Sequence, residues 1–245
     1  MDAAAFRTAH GEPVPAVTAA EMAEVDRVAV EEFGLGIIQM MEHAGRTLSR
    51  TALESDANQM VVVAGGGGNG GGGLACARHL AARDRLHSIV LDRSPDEYEG
   101  APATQLRLLE RMGVEIIDAD AAPEPAATAI SDADRIIDAL IGYGLTGAPR
   151  GTAGDLITEM QSAAAPALSL DVPSGVDATT GETAGVAVEP EQTLTLALPK
   201  TGLTATAGSL RCADLGILAG VYEAADIDYD HPFGDQFCVD LTVTE

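Results

Sequence analysis

The stretch Met60-Val61-Val62-Val63-Ala64-Gly65-Gly66-Gly67-Gly68-Asn69-Gly70-Gly71-Gly72-Gly73-Leu74 decides how the rest of the chain is read. Five apolar residues in a row suit a short strand buried on both faces of a parallel sheet. The glycines after them present no Cβ, so backbone N–H groups can approach a ligand closely. Leu74 to Ala82 is expected as a helix, whose first turn adds unpaired N–H donors and the positive end of a dipole. Strand, glycine loop (Gly65 to Gly73) and helix together make a phosphate-binding turn. Gly65, Gly67 and Gly70 satisfy the dinucleotide spacing, but so dense a run satisfies many spacings; the order of the elements carries the inference. No lysine follows the loop, which excludes a Walker-type nucleotide site.

On the N-terminal side, Thr18-Ala19-Ala20-Glu21 has the capping-box pattern, with Met22, Val25 and Ala29 on one helical face. A second helix is expected from about Ile37 to Leu53. On the C-terminal side, strands are expected at Ser88 to Leu91, Val114 to Ile117, Arg135 to Asp138, Ala167 to Val172 and Thr193 to Leu198. Helices fall between them at Thr104 to Met112 and Asp155 to Ala164, while Ala119 to Ala129 reads as a surface connection. Alternation of this kind implies right-handed crossovers. The expected fold is a Rossmann-like three-layer α/β/α sandwich with a mostly parallel sheet and an N-terminal helical extension. Residues 1–245 read as one domain, with 1–15 and 223–245 loosely ordered.

Charge narrows the partners. The formal net charge is −24, and Lys200 is the only lysine among 245 residues. Such a surface repels nucleic acid and anionic membranes. Adaptation to concentrated salt is the expected reason for the acidity, since screening makes dense carboxylates tolerable; an acidic face that recruits a basic partner is the alternative. No apolar run reaches the roughly 18 residues of a membrane span, and the N-terminus has no signal layout, so a cytoplasmic location is expected. Cys76, Cys212 and Cys238 are an odd, scattered set without metal spacing. They read as reduced thiols, with Cys76 in the core.

Asp138 and Asp171 each close an apolar strand, at the edge where open α/β sheets bind ligands. Either acid could instead cap a turn. Asp92 lies about twenty residues beyond Gly70, where a nicotinamide-cofactor fold places its ribose-binding acid; a solvated strand-end Asp is the plain alternative. Arg150 could reach a phosphate or stay solvated.

Five segments, taken in order, resemble the NAD(P)H-hydrate epimerase family, also called the YjeF N-terminal domain. They are Met41-Glu42-His43-Ala44-Gly45-Arg46, the glycine loop running into Leu74 to Leu80, Asp138 to Gly147, Asp171-Val172-Pro173-Ser174-Gly175-Val176-Asp177, and Leu198-Pro199-Lys200-Thr201-Gly202-Leu203. The resemblance spans about Thr18 to Ile217. It implies epimerisation of the R and S forms of hydrated NADH or NADPH, a bound potassium ion in each subunit, and a homodimer. Carried over by position, Asn69, Asp138 and Ser174 are cation ligands. Gly68, Asn69, Gly70, Gly71 and Gly72, the turn Gly142-Tyr143-Gly144-Leu145-Thr146-Gly147-Ala148, and Asp171 contact the substrate. Asp171 is the candidate for proton transfer. The dehydratase domain that often accompanies this family is expected to be absent.

The chain departs from the family pattern at three places. Gly68 replaces an Asn, Gly72 replaces the loop Asp, and His43 replaces an Asn in the Met-Glu-Asn-Ala-Gly helix. Losing the loop Asp is expected to remove a carboxylate beside the substrate; His43 could compensate, though a histidine satisfied inside a helix interface is the favoured reading. Two further readings therefore stay open: a nucleotide-binding paralogue with impaired catalysis, or an NAD-binding oxidoreductase using Asp92. Against the latter, no Tyr-x-x-x-Lys pair is present.

Overall fold

All five residues of Met60 to Ala64 are fully buried, as a strand between two helical layers requires. In a computed structural model describing residues 5–244, the elements in chain order are β1 (Phe6–Thr8), β2 (Pro13–Val14), α1 (Ala19–Glu31), α2 (Ile37–Ala52), β3 (Met60–Ala64), α3 (Gly68–Ala81), β4 (Leu86–Leu91), α4 (Gly100–Arg111), β5 (Ile116–Asp118), α5 (Pro123–Ser131), β6 (Arg135–Ala139), α6 (Gly151–Ser162), β7 (Ala167–Leu170), β8 (Gln192–Leu196), β9 (Ser209–Ala213), α7 (Ala219–Ala224) and β10 (Cys238–Val243). The side-chain period of two divides β3 between the layers. Val62 and Ala64 pack with Leu48 of α2, Leu74 of α3 and Leu106 of α4. Val61 and Val63 pack with Ile130 of α5 and Leu156 of α6.

One sheet runs in the order β2-β1-β10-β9-β8-β7-β6-β3-β4-β5. From β9 to β5 every pairing is parallel. The chain builds outward from β3 to β4 and β5, then returns to the other side of β3 and builds β6 to β9. The strand order therefore reverses between β3 and β6. Open α/β sheets bind ligands at such a reversal, outside the carboxyl ends of the strands.

The structure differs from the sequence expectation in several places. Helix α3 begins at Gly68, so only Gly65 to Gly67 form the turn, and six residues of the glycine run lie inside a helix despite the entropic cost. Packing accounts for Gly70 to Gly73. A Cβ on Gly70 would overlap the Gly65 carbonyl, and one on Gly73 would overlap the Ala139 side chain. The expected surface connection at Ala119 to Ala129 instead contains α5, since proline is compatible with a first helical turn and its alanines favour the turns beyond.

The terminal segments, expected to be loose, supply strands. β10 pairs antiparallel with β9 and β1, and β1 with β2; residues 1–4 and 245 lie outside the described residues. Along 223–235, Tyr229 stacks on Tyr222 with ring centroids 4.0 Å apart, and Phe233 is buried. The capping box at Thr18 forms, with Glu21 N donating to Thr18 Oγ1 at 3.2 Å and Thr18 N donating to Glu21 Oε2 at 2.7 Å. Cys76 is buried, and burial raises its thiol pKa.

Candidate active site

Three loops meet at the reversal. The turn after β3 is tied to β6 by Gly65 N donating to the Ala139 carbonyl at 3.3 Å. A Cβ on Gly65 would overlap the Leu140 carbonyl, so the approach requires glycine. The segment after β6 is tied to that after β7, where Ile141 N donates to Ser174 Oγ at 2.8 Å. Asn69 lies against Gly142, whose added Cβ would stand 3.1 Å from the Asn69 Cγ. The predicted residues Asn69, Asp138, Gly142 and Ser174 are thus brought to one rim.

Asp138 is fully buried at the end of β6. Its Oδ1 accepts from Ser174 Oγ at 2.5 Å and Leu140 N at 3.3 Å. Its Oδ2 accepts from Ser169 Oγ at 2.7 Å and Ser174 N at 2.9 Å. Burial raises the Asp138 pKa, and the Ser174 and Ser169 hydrogen bonds oppose it. Asn69 is the reverse case. Both polar atoms of its carboxamide are buried with no hydrogen-bond partner, a cost of about 1–3 kcal/mol for an unmade bond. A ligand or cation that supplies the missing contacts recovers that energy.

Asp171 sits just past β7 at a φ of +66°, a region uncommon for non-glycine residues. Val172 N donates across it to the Leu170 carbonyl at 2.9 Å, a turn of the strained hand. The neighbouring strand repeats the device: Ala197 has a φ of +62°, and Leu198 N donates to the Leu196 carbonyl at 2.7 Å. These two turns put Asp171 beside Lys200. The chain's only lysine is 1% exposed and forms an ion pair with Asp171 Oδ1, which also accepts from Leu196 N at 3.2 Å. Lys200 Nζ donates to the Leu196 carbonyl at 2.9 Å and lies 5.7 Å from the centre of the Tyr143 ring.

Lys200 belongs to the last of the five motif segments, where the sequence assigned it no role. Its signal was its singularity, because a lone lysine within an apolar stretch of an acidic chain has no solubility task. Asp26 of α1 gave no signal at all. It accepts a 2.6 Å hydrogen bond from the Tyr143 hydroxyl. Burial raises its pKa, against the Tyr143 hydrogen bond and the charge of Lys200.

Other expected residues fall elsewhere. Gly71 and Gly72 are buried; a Cβ on Gly71 would meet Met41, and one on Gly72 would meet Leu170 Cδ2 at 2.8 Å. Gly71 N is already spent on the Gly67 carbonyl. Position 72 therefore faces packed core, so a carboxylate there would not stand in the rim. Asp92 is paired with Arg93 at 2.8 Å and takes a long 3.4 Å contact from the Tyr98 hydroxyl, with Arg93 lying over Gly66. His43 lines a different cleft of about 640 Å³ with Arg46 and Arg50, and its Nδ1 bonds to the Leu215 carbonyl at 2.9 Å. Arg150 is exposed at the start of α6. Gly144, Thr146 and Gly147 are exposed in their turn, between the less exposed Tyr143, Leu145 and Ala148.

A profile of the family described as YjeF-related protein N-terminus matches residues 37–202. The chain belongs to that family. Among YjeF-related relatives, it is 41% identical over 250 residues to an NAD(P)H-hydrate epimerase of Dehalogenimonas lykanthroporepellens, covering 98% of each chain. It is 36% identical to a bifunctional NAD(P)H-hydrate repair enzyme of Salinibacter ruber, covering 87% of this chain and 40% of that longer protein. The fold matches the crystal structure of a yeast protein with a TM-score of 0.77, at 20% identity, over 94% of this chain and all of the other. Among the described residues no helix is long and apolar enough to cross a membrane.

Proposed function

We propose that this chain interconverts the R and S forms of hydrated NADH and NADPH, a repair of damaged nicotinamide nucleotides. The observation that carries the reading is the meeting of Asn69, Asp138 and Ser174 at the strand-order reversal, with the Asp171–Lys200 pair next to Tyr143 of the adjoining turn. The free N–H groups of the first α3 turn, at Gly68, Asn69 and Gly70, suit a nucleotide phosphate. The turn 142–148 closes over the nucleotide, and Asp171 stands as an anion held by Lys200 beside the reacting ring.

A monovalent cation, potassium by family resemblance, fits this donor set. The unpartnered Asn69 Oδ1 is a hard oxygen awaiting a contact, and Asp138 and Ser174 add oxygens of the same kind. Held by Asn69, Asp138 and Ser174, the ion would supply positive charge to balance the buried Asp138. We place the reaction in the cytoplasm and expect the whole chain to work as one domain in a homodimer.

Catalytic impairment is not favoured, because position 72 faces Leu170 rather than the rim. An oxidoreductase is not favoured either, because Arg93 occupies Asp92. The test follows one pure epimer of hydrated NADH with purified protein in potassium buffer. Approach to the epimer mixture well above the spontaneous rate is expected, with loss of that rate in Asp171→Ala. A rate equal to the uncatalysed one overturns the reading.

A further inference from the structure

We propose that Asp26 stores the proton used in the epimerisation and exchanges it with the substrate through the hydroxyl of Tyr143. The proposal rests on the epimerase reading and supplies it with a proton store beside the substrate turn. Asp171 is engaged as an anion by Lys200, and Asp138 is enclosed by donors from Ser169, Ser174 and Leu140. Cys76 and Cys212 are buried thiols, and His43 belongs to another cleft. Asp26 remains. It reaches the site from α1, an element far in sequence from every motif loop, and its carboxyl lies 2.6 Å from the hydroxyl of a residue in the substrate turn.

Its surroundings favour proton storage. Asp26 lies mostly out of water, and burial favours the neutral acid. The charged and titratable groups facing it are Tyr143 from the turn after β6, Lys200 and Asp171 from beyond β8 and β7, and Tyr222 from α7. Lys200 and Asp171 neutralise one another as a pair. The balance left is the burial cost set against one hydrogen bond, so the carboxyl can change state at modest cost. Its neighbour Arg27 is bound to Glu24, Glu31 and Glu32 and does not fix it as an anion.

The step balances. The hydroxyl on the hydrated ring carbon takes the Tyr143 proton as its C–O bond breaks, and leaves as water. The bond's electron pair goes with the oxygen, and the ring nitrogen lone pair forms a C=N⁺ bond. Tyr143 takes the proton of neutral Asp26. Beside the cationic ring lies the Asp171 carboxylate. Return of water to either face of the ring runs the transfers backwards, and Asp26 recovers its proton. Either epimer can result.

The experiment compares wild type, Asp26→Asn, Asp26→Glu and Tyr143→Phe on a single epimer of hydrated NADH across pH. Asn keeps an oxygen to accept from Tyr143 but holds no titratable proton, so a merely structural role predicts near wild-type kcat. The proposal predicts a fall in kcat of about 10²–10⁴-fold, the usual worth of a general acid, with KM little changed. It also predicts partial recovery in Asp26→Glu, and loss in Asp26→Asn of the wild-type decline as pH rises through the Asp26 titration. Tyr143→Phe should lose a similar factor. Wild-type activity with an unimpaired Asp26→Asn, folded by circular dichroism, overturns the proposal and leaves the epimerase reading standing. An inert wild type overturns both.

Discussion

Replacing Lys200 with Met tests the central electrostatic arrangement. Lys200 and Asp171 are 1% and 3% exposed, so neither charge can be rescued by water. Met has nearly the volume of the lysine stem and fills its channel, so the substitution removes charge with little cavity. It leaves Asp171 buried with only Leu196 N and the distant Thr195 hydroxyl as donors. Breaking a buried pair in this way costs about 3–5 kcal/mol. For a chain of this size that corresponds to a melting temperature lower by roughly 6 to 20 °C. The partner variant is Asp171→Asn, because Asn tolerates the positive φ at this position and its carbonyl can still accept from Leu196 N. Combined with Lys200→Met it removes both charges, and more than half of the lost stability should return while epimerisation stays lost. Thermal and guanidinium unfolding of the four proteins at one fixed salt concentration reads the cycle. Two results would count against the buried-pair account: a Lys200→Met loss below about 1 kcal/mol, the level of a surface pair, or a double variant no more stable than the single.

Gly72→Asp should destabilise by about 3 kcal/mol or more and add no activity, since it pushes an unpaired carboxylate against Leu170 and Ala44; an active, stable variant overturns the packing account. Asn69→Ala should equal or exceed wild type in stability in potassium-free buffer, by up to about 1–3 kcal/mol, because it deletes two buried unpartnered atoms. The same variant should lose any stabilisation that potassium gives, as read by melting temperature against potassium concentration. Asp26 has a pKa raised by burial, so the folded chain holds that proton more tightly than the unfolded one. Its contribution is fully present below the unfolded value of about 3.9 and is lost as pH rises through the folded value. Stability profiles of wild type and Asp26→Asn should therefore diverge between those two values, with wild type falling relative to the variant, and run parallel above the folded one.

Local patterns made much of this legible. The run Met60 to Ala64 reads as a strand buried on both faces, and Thr18 with Glu21 reads as a helix start. Asp138 near the end of β6 and Asp171 just past β7 follow apolar runs that reach a sheet edge. The glycine run misled because glycine has two uses that look alike in sequence: it frees a backbone for a ligand, and it removes a Cβ from a tight contact. Gly65 to Gly67 form the turn; Gly70 to Gly73 serve close packing against Gly65, Met41, Leu170 and Ala139. The terminal strands were missed because their partners lie at the opposite end of the chain, as when Phe6 pairs with Val243.

Residue order was therefore enough to set the layers, the alternation of strand and helix, and the edge on which the acids stand, because period and strand-end chemistry are local properties. Which charges meet is a property of the folded molecule. Asp171 finds Lys200 29 residues away, and Asp26 finds Tyr143 at a separation of 117. No spacing rule encodes such pairs. They arise where two parallel strands turn at one edge and a helix from before the first of the parallel strands packs across them, and the low dielectric there makes each pairing decisive.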